Sequence, residues 1–150
     1  MTSNRVLYTL DSSLESVNTA EETAQLFASR AGFDEDNCLK ISMAAREAAA
    51  NAVLHGNAYD PNKKMTVAFE YTGHALVVTV TDQGKGLDLS TIPDPTTPEN
   101  LLKRSGRGIF LMLALMDEVR IRPLEPGTEV TMVKNVNGNS ANHNKASKRV

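Results

Sequence analysis

A polar pair inside an alanine-rich stretch is the feature that most constrains the fold of this chain. Glu47 and Asn51 lie four residues apart in the segment 42–56, which contains no proline and no glycine before Gly56. Such a composition favours helix, and residues at i and i+4 share one helical face. The apolar stripe next to this pair consists of Ile41, Ala44, Ala48 and Ala52. The spacing therefore predicts a carboxylate and a carboxamide at the edge of a buried helical face.

Two interpretations of the Glu47–Asn51 pair are possible. At the edge of a buried face, the carboxylate of Glu47 can accept a proton, and the amide oxygen of Asn51 can hold a hard cation such as Mg²⁺. The alternative is a solvated glutamate and an asparagine that faces water. The two residues alone leave both interpretations open.

Length and composition restrict the class of protein. The chain has 150 residues, a net charge of -2 and one cysteine, Cys38. This length is typical of one domain, and the charge argues against direct nucleic-acid binding. A lone cysteine cannot form a disulfide within the chain and suits a reducing compartment. Since no apolar segment of membrane-spanning length is present, we expect a cytoplasmic protein with no membrane contact.

The pattern of apolar and turn residues predicts alternating helices and strands. A strand over 6–10 precedes a helix capped at Asp11, Ser12 or Ser13 and ending near Arg30, and Asp34 caps the next helix, which ends near Gly56. Strands are predicted over 65–71, 75–81, 118–123 and 128–135, with a helix over 109–116. We expect one domain over residues 1–136 and a disordered tail over 137–150, which is rich in Asn, Ser and Lys.

A glycine motif follows the third predicted strand. Asp82, Gly84 and Gly86 form a D-x-G-x-G pattern, in which glycines let backbone amides approach a ligand closely. The carboxylate of Asp82 could accept a hydrogen bond from an exocyclic amine. An ordinary turn after a strand would explain the same residues.

A second glycine motif opens the last predicted helix. Gly106 and Gly108 lie at its start, with Arg104 and Arg107 beside them. Unpaired amides and the helix dipole make such a terminus an anion site, and arginines pair with phosphate oxygens. A hinge followed by a plain helix start is the alternative. The proline-containing segment 88–104 before it is long for a loop inside a compact domain, which is typical of a functional loop.

The order of these motifs resembles the GHKL ATPase family, which has the Bergerat, or histidine-kinase-like, nucleotide fold. E-x-x-x-N on a helix, D-x-G-x-G after a strand, a proline-rich lid, G-x-G at a helix start and Gly127-Thr128 at a strand turn occur in that order. The segment 104–110 and the short chain are similar to the anti-sigma-factor serine kinases of bacteria. The resemblance covers residues 6–136. It implies an α/β (α+β) two-layer sandwich, with a mixed, mostly antiparallel sheet and helices on one face.

The resemblance also implies roles for individual residues. Glu47 matches the general base that takes the proton of a substrate serine, and Asn51 matches the Mg²⁺ ligand. Asp82 matches the residue that binds the adenine amino group, and Thr128 matches a threonine behind the adenine. ATP and Mg²⁺ are therefore the implied cofactors.

The remaining matches concern the two glycine motifs and the lid. Gly84 and Gly86 match glycines beside the base and ribose, and Leu87 is either an apolar wall of the purine pocket or ordinary core. The implied phosphate-binding segment consists of Arg104, Ser105, Gly106, Arg107 and Gly108. Arg104 resembles an arginine that reaches the terminal phosphate, whereas the role of Arg107 stays open.

The resemblance implies a cytoplasmic serine-protein kinase and anti-sigma factor that regulates transcription. It would phosphorylate a serine of an anti-anti-sigma protein and sequester a sigma factor, and a homodimer is a further expectation. One alternative is a non-catalytic, ATP-gated protein-binding module. The other is a histidine-kinase catalytic domain acting in trans, which is disfavoured because no helix with a phospho-accepting histidine precedes the domain.

Overall fold

The computed structural model describes residues 4–84 and 107–136, with the side chain of Arg107 excepted. In these residues the strands are β1 (Asn4–Asp11), β2 (Lys64–Tyr71), β3 (Ala75–Asp82), β4 (Glu118–Pro123) and β5 (Thr128–Asn135). The helices are α1 (Leu14–Arg30), α2 (Glu35–Asn51) and α3 (Arg107–Leu115), and a π-helical turn, Ala52–Gly56, extends α2. No helix of this described part is long and apolar enough to cross a membrane.

The strands form one sheet in the order β1-β2-β3-β5-β4. All four pairings between described strands are antiparallel. The two-layer α+β prediction is confirmed. The parallel pairing that a mixed sheet would contain is not found in this part of the chain. Antiparallel sheets commonly cover one face and leave the other to solvent. The alternation in β3 shows this, since Leu76, Val78 and Val80 are buried while Val77 and Thr79 are only partly covered.

The helices cover one face of the sheet and enclose a single core. On α1 the buried apolar residues recur at helical spacing, and on α2 small side chains allow close helix packing. Phe27 of α1 stacks on Phe69 of β2, with ring centroids 5.6 Å apart. The fully buried centre includes Val17, Ala24, Ile41, Ala45, Met65, Phe69, Leu76, Met112 and Met132.

Local capping explains where α1 and α2 begin. Ser13 caps α1, because its hydroxyl accepts a hydrogen bond from the Ser16 amide at 3.2 Å. Asp34 caps α2 through the Asn37 amide at 2.8 Å, as the sequence predicts. Each cap satisfies an amide that the helix itself leaves unpaired. The predicted lid over 88–104 and the predicted tail over 137–150 lie outside the described residues.

Candidate functional site

Glu47 and Asn51 lie on the last turns of α2 and face the start of α3. Both side chains are partly buried, whereas the neighbouring stripe of Ile41, Ala44, Ala48 and Ala52 is buried. A Cβ on Gly108 would lie 2.8 Å from Nδ2 of Asn51 and 3.3 Å from Oε1 of Glu47. The structure therefore confirms that the pair shares a face at the edge of the core. It also shows that α3 begins directly against this pair.

The N-terminus of α3 brings backbone amides to the same place. The helix begins at Arg107 and has nine residues, and the amides of a first helical turn have no partner within the helix. The helix dipole adds positive potential there. Gly108 lets the first turn approach the carboxylate and carboxamide of α2 without a side chain between them. An anion next to Asn51 and Glu47 would therefore meet aligned amide donors.

Asp82 closes β3 at the same end of the sheet and is 7% exposed. Its Oδ1 accepts a hydrogen bond from the Gly84 amide at 2.9 Å. Burial raises the pKa of the Asp82 carboxyl, although hydrogen bonds from the backbone of Gly84 and Thr128 and the charge of Lys63 act in the opposite direction. A buried carboxylate of this kind is a strong hydrogen-bond acceptor because little water competes for it.

Three glycines pack around Asp82 without room for a side chain. A Cβ on Gly56 would lie 2.3 Å from Oδ2 of Asp82, and a Cβ on Gly127 would lie 2.0 Å from the backbone oxygen of Asp82. A Cβ on Gly84 would lie 1.9 Å from the Gly56 backbone oxygen. Because such distances are below any real contact, glycine is required at all three positions. The sequence predicts a site role for Gly84 and gives no such signal for Gly56.

Thr128 lies beside Asp82 because the two residues are partners in the β3–β5 ladder. Thr128 begins β5 directly after Gly127, whose φ of +108° is one that glycine adopts readily. The D-x-G and G-T segments therefore meet at one edge of the sheet, although Asp82 and Thr128 are 46 residues apart in the chain. The role of Thr128 behind the adenine stays a prediction.

The end of α2 differs from the predicted regular helix. The turn Ala52–Gly56 is π-helical, and the Asn57 amide donates to the Ala52 carbonyl at 2.7 Å. A π-helical turn is wider than an α-helical one and often occurs at functional sites. It brings Gly56 against the Asp82 carboxylate. The segment after Asn51 thus links the Glu47–Asn51 pair to the end of β3.

Asn57, directly after the predicted end of the helix near Gly56, is a buried polar residue for which the sequence predicts no role. It is 1% exposed, and its side chain contacts three separate parts of the chain. Nδ2 donates to Oγ of Ser12 at 2.8 Å and to the Lys64 carbonyl at 3.0 Å, and Oδ1 accepts from the Gln83 amide at 2.8 Å. An asparagine directly after a helix-ending glycine is a signal for a local turn, but long-range partners such as these leave no local pattern.

Several predicted site residues lie outside the described part of the chain. Gly86, Leu87, Arg104, Ser105 and Gly106 all fall between residues 84 and 107, and only the backbone of Arg107 is described. Their implied roles at the base, the ribose and the phosphates therefore stay predictions.

The described residues contain no group of three or more His, Cys, Asp or Glu side chains that could hold a metal ion. Mg²⁺ does not require such a group, because it usually keeps several waters and takes one or two protein ligands together with substrate phosphates. The Asn51 carboxamide, beside a carboxylate and a helix start, provides one hard oxygen donor in such a setting. These residues fit Mg²⁺ that is delivered with a nucleotide.

Comparison with protein families agrees with this geometry. The family model described as the histidine kinase-like ATPase domain matches residues 10–134. The serine-protein kinase RsbW of Bacillus subtilis is 34% identical over 122 residues, which cover 77% of this chain and 76% of that protein. The anti-sigma F factor of Anoxybacillus flavithermus is 32% identical over 127 residues, covering 81% and 86% respectively. The expected resemblance to serine-protein kinases and anti-sigma factors is thereby confirmed.

Solved structures show the same fold. The RsbU and RsbW domains of a Mycobacterium tuberculosis protein match with a TM-score of 0.65 at 23% identity, and the match covers 87% of this chain and 32% of that one. A blue-light activated histidine kinase domain from Erythrobacter litoralis matches with a TM-score of 0.52 at 16% identity, covering 89% and 65%. The first of these proteins is much longer than the matched part. The described residues share the five-stranded sheet and flanking helices of this fold, and, because the family model matches residues 10–134, the chain belongs to the histidine kinase-like ATPase domain family.

Proposed function

We propose that this chain is a Mg²⁺-ATP-dependent serine-protein kinase of the anti-sigma type. The observation that carries the proposal is that Glu47 and Asn51 both face Gly108 so closely that a Cβ on this glycine would contact both side chains. One carboxylate, one carboxamide and one helix N-terminus are the groups that a transferring phosphoryl group needs nearby. The family implies the use of ATP, and its curated relatives include serine-protein kinases.

Base recognition is assigned to the Asp82 edge of the sheet. The buried carboxylate would accept a hydrogen bond from the exocyclic amine of adenine, and Thr128 lies next to it in the ladder. Gly56 packs against this carboxylate and Gly84 packs on the backbone of Gly56, so these glycines allow close backbone packing around the proposed base-binding group. Guanine presents a carbonyl oxygen where adenine has its amine, so the carboxylate would select against guanine.

Phosphate binding is assigned to the start of α3 and to Asn51. Backbone amides of the first turn would hold phosphate oxygens, and the Asn51 amide oxygen would ligate Mg²⁺. When bound, Mg²⁺ supplies charge neutralisation at the phosphate oxygens. Arg104, Ser105, Gly106 and Arg107 would complete this binding segment.

Glu47 is assigned as the general base. Its carboxylate would take the hydroxyl proton of the substrate serine while the serine oxygen bonds to the γ-phosphorus. The bond from that phosphorus to the β–γ bridging oxygen breaks, and ADP leaves. The position of Glu47 one turn before Asn51, with Oε1 close to Gly108, supports this assignment, since the base must lie near both the nucleophile and the phosphate.

The partners follow from the relatives and are part of the proposal. Proteins named serine-protein kinase RsbW and anti-sigma F factor are among the relatives at 30–34% identity. We infer that this chain phosphorylates a serine of a small anti-anti-sigma protein and binds a sigma factor in the alternative state. A cytoplasmic location and a homodimer fit this role and stay predictions.

The test is phosphorylation of a candidate anti-anti-sigma protein from the same genome. The purified chain, the candidate and Mg²⁺-ATP are incubated together, and intact-mass spectrometry followed by peptide mapping locates the added phosphate. A phosphoserine that requires the chain supports the proposal. Stable binding of the candidate with intact ATP and no phosphoserine would instead indicate an ATP-gated binding module.

A further inference from the structure

We propose that Asn57 is a positioning residue for base recognition, acting on Asp82 through the backbone of Gln83 and through Gly56. This inference deepens the proposed function and rests on the assignment of Asp82 to the base. Asn57 itself is buried, so it is not placed to touch a nucleotide.

The Asn57 side chain ties together three chain segments at the Asp82 end of the sheet. Its Nδ2 donates hydrogen bonds to Oγ of Ser12, the residue before the cap of α1, and to the Lys64 carbonyl at the start of β2. Its Oδ1 accepts a hydrogen bond from the backbone amide of Gln83, the residue directly after Asp82. Both Nδ2 donors and the Oδ1 acceptor are thus used within the protein. A fully satisfied buried amide of this kind fixes its neighbours in one arrangement.

The network continues around the same strand end. The Gln83 side-chain oxygen accepts from the Lys64 amide at 2.7 Å, and the Ser12 hydroxyl donates to the Lys63 carbonyl at 2.5 Å. The start of β2 and the end of β3 are therefore joined by side chains where the strand pairing stops. The last β2–β3 partners are Thr66 and Thr81. Beyond Thr81, the β3–β5 pairing includes Asp82 but does not extend to Gln83 and Gly84.

The chain neighbours of Asn57 and Gln83 act directly on the Asp82 carboxylate. Gly56 packs against this carboxylate, while Gly84 donates its amide to Oδ1 and packs on the Gly56 backbone oxygen. The pairs 56–57 and 83–84 thus form two adjacent backbone segments, joined by the Asn57–Gln83 hydrogen bond, with the carboxylate beside them. Loss of the Asn57 amide group would let these segments separate and the Asp82 carboxylate change direction.

A change in carboxylate direction affects adenine and guanine differently. Adenine binding would lose a directional hydrogen bond from its amine, whereas guanine binding would lose a repulsive contact. Phosphate contacts at α3 would be unchanged, because Asn51 and Gly108 lie outside this network. The expected signature is a reduced preference for ATP over GTP rather than a general loss of nucleotide binding.

The experiment measures the dissociation constants of Mg²⁺-ATP and Mg²⁺-GTP by calorimetry for the wild type, Asn57→Ala and Ser12→Ala. The preference for ATP should fall about tenfold in Asn57→Ala, the size of one lost directional hydrogen bond. Ser12→Ala removes one partner of Nδ2 but keeps the contact with Gln83, so its preference should match the wild type. Asn57→Ser replaces Asn57→Ala if the latter does not fold, since it also loses the reach to Gln83.

A double-mutant cycle with Asp82→Ala tests whether Asn57 acts through Asp82. In the Asp82→Ala background, Asn57→Ala should leave the ratio of the two dissociation constants unchanged. Unchanged preference in the Asn57 variant that folds, with reduced thermal stability alone, would overturn the inference without affecting the assignment of Asp82 to the base. Unchanged preference in Asp82→Ala would overturn the base assignment of the proposed function itself.

Discussion

Gly56 lies so close to Asp82 that a Cβ on the glycine would fall 2.3 Å from Oδ2 and 2.4 Å from the carboxyl carbon. The π-helical turn that extends α2 therefore contacts the end of β3 through a glycine and a buried carboxylate. This contact links the helix that carries Glu47 and Asn51 to the strand that carries the proposed base-binding residue. The effects of this contact on protein stability and on ATP binding can be measured separately.

Replacement of Asp82 by asparagine should stabilise the free protein near neutral pH and weaken ATP binding. Burial raises the pKa of the Asp82 carboxyl, which means that the charged form is disfavoured in the folded state. Asparagine has the same shape and can still accept the Gly84 hydrogen bond through its oxygen. Melting temperatures and calorimetric titration of ATP, measured on both proteins, check the two effects.

The pH dependence of this stability difference has a defined sign. A raised pKa means that the folded state binds the proton more tightly than the unfolded state does. The wild type should therefore lose stability as pH rises from the ordinary carboxyl pKa through the raised one, and Asp82→Asn should lack this contribution. A difference between the two proteins that is constant with pH would contradict the account.

Gly84→Ala should strongly destabilise the protein and disturb the base site. The new Cβ would lie 1.9 Å from the Gly56 backbone oxygen, and backbone atoms cannot move away as a flexible side chain can. We expect a loss of about 3 kcal/mol or more in the free energy of unfolding.

Gly73→Ala is the matched control for this substitution. Gly73 has a φ of +92° with nothing within 4 Å of the new Cβ, so only backbone strain of about 1 kcal/mol is expected. Urea unfolding and ATP titration should show the larger stability loss and an affinity loss for Gly84→Ala only. Equal losses in both variants would argue against close packing at Gly84.

Gly108→Ala should impair nucleotide binding without unfolding the protein. Alanine favours helix over glycine by about 1 kcal/mol, but its Cβ would lie 2.8 Å from Nδ2 of Asn51. The Asn51 side chain would have to move, which displaces the proposed Mg²⁺ ligand. Affinity for Mg²⁺-ATP should fall while the melting temperature is kept, as titration and thermal unfolding would show. Full affinity in Gly108→Ala would mean that Asn51 and α3 do not act together.

Glu47→Gln should abolish phosphoryl transfer and keep ATP binding. A glutamine keeps the size of the side chain but cannot take the serine proton, and loss of a general base typically lowers the rate by about 10²- to 10⁴-fold. Single-turnover transfer to the anti-anti-sigma protein gives the rate, and titration gives the affinity. Glu22→Gln, at an exposed position of α1, is the control. A transfer rate near that of the wild type in Glu47→Gln would remove Glu47 from the mechanism.

The sequence predicts the fold well where short-range signals are strong. The caps at Ser13 and Asp34 have local partners, and the alternation in β3 matches one buried sheet face. The i, i+4 spacing of Glu47 and Asn51 needs only a helix to bring the two side chains together. These features depend on residues that are close together in the sequence, so they can be predicted from the sequence alone.

Long-range packing explains what the sequence does not predict. Asn57 contacts Ser12 and Gln83, which are 45 and 26 residues away, and no local pattern indicates those partners. The π-helical turn before it places Gly56 against Asp82, a contact between distant parts of the chain that no local pattern indicates. Among the described strands, β1 pairs with β2 and β3 pairs with β5 across long stretches of chain, so the antiparallel direction of these pairs has no local signal.

Binding of ATP with and without Mg²⁺ shows whether Asn51 holds the metal ion at the proposed nucleotide site. Calorimetric titration would compare the wild type with Asn51→Ala, and Asn62→Ala, at an exposed loop position, would serve as the control. We expect Mg²⁺-dependent binding in the wild type and in Asn62→Ala, and loss of the Mg²⁺-dependent part in Asn51→Ala. Binding in Asn51→Ala that equals the wild type, or no binding of ATP by any of the three proteins, would contradict this expectation.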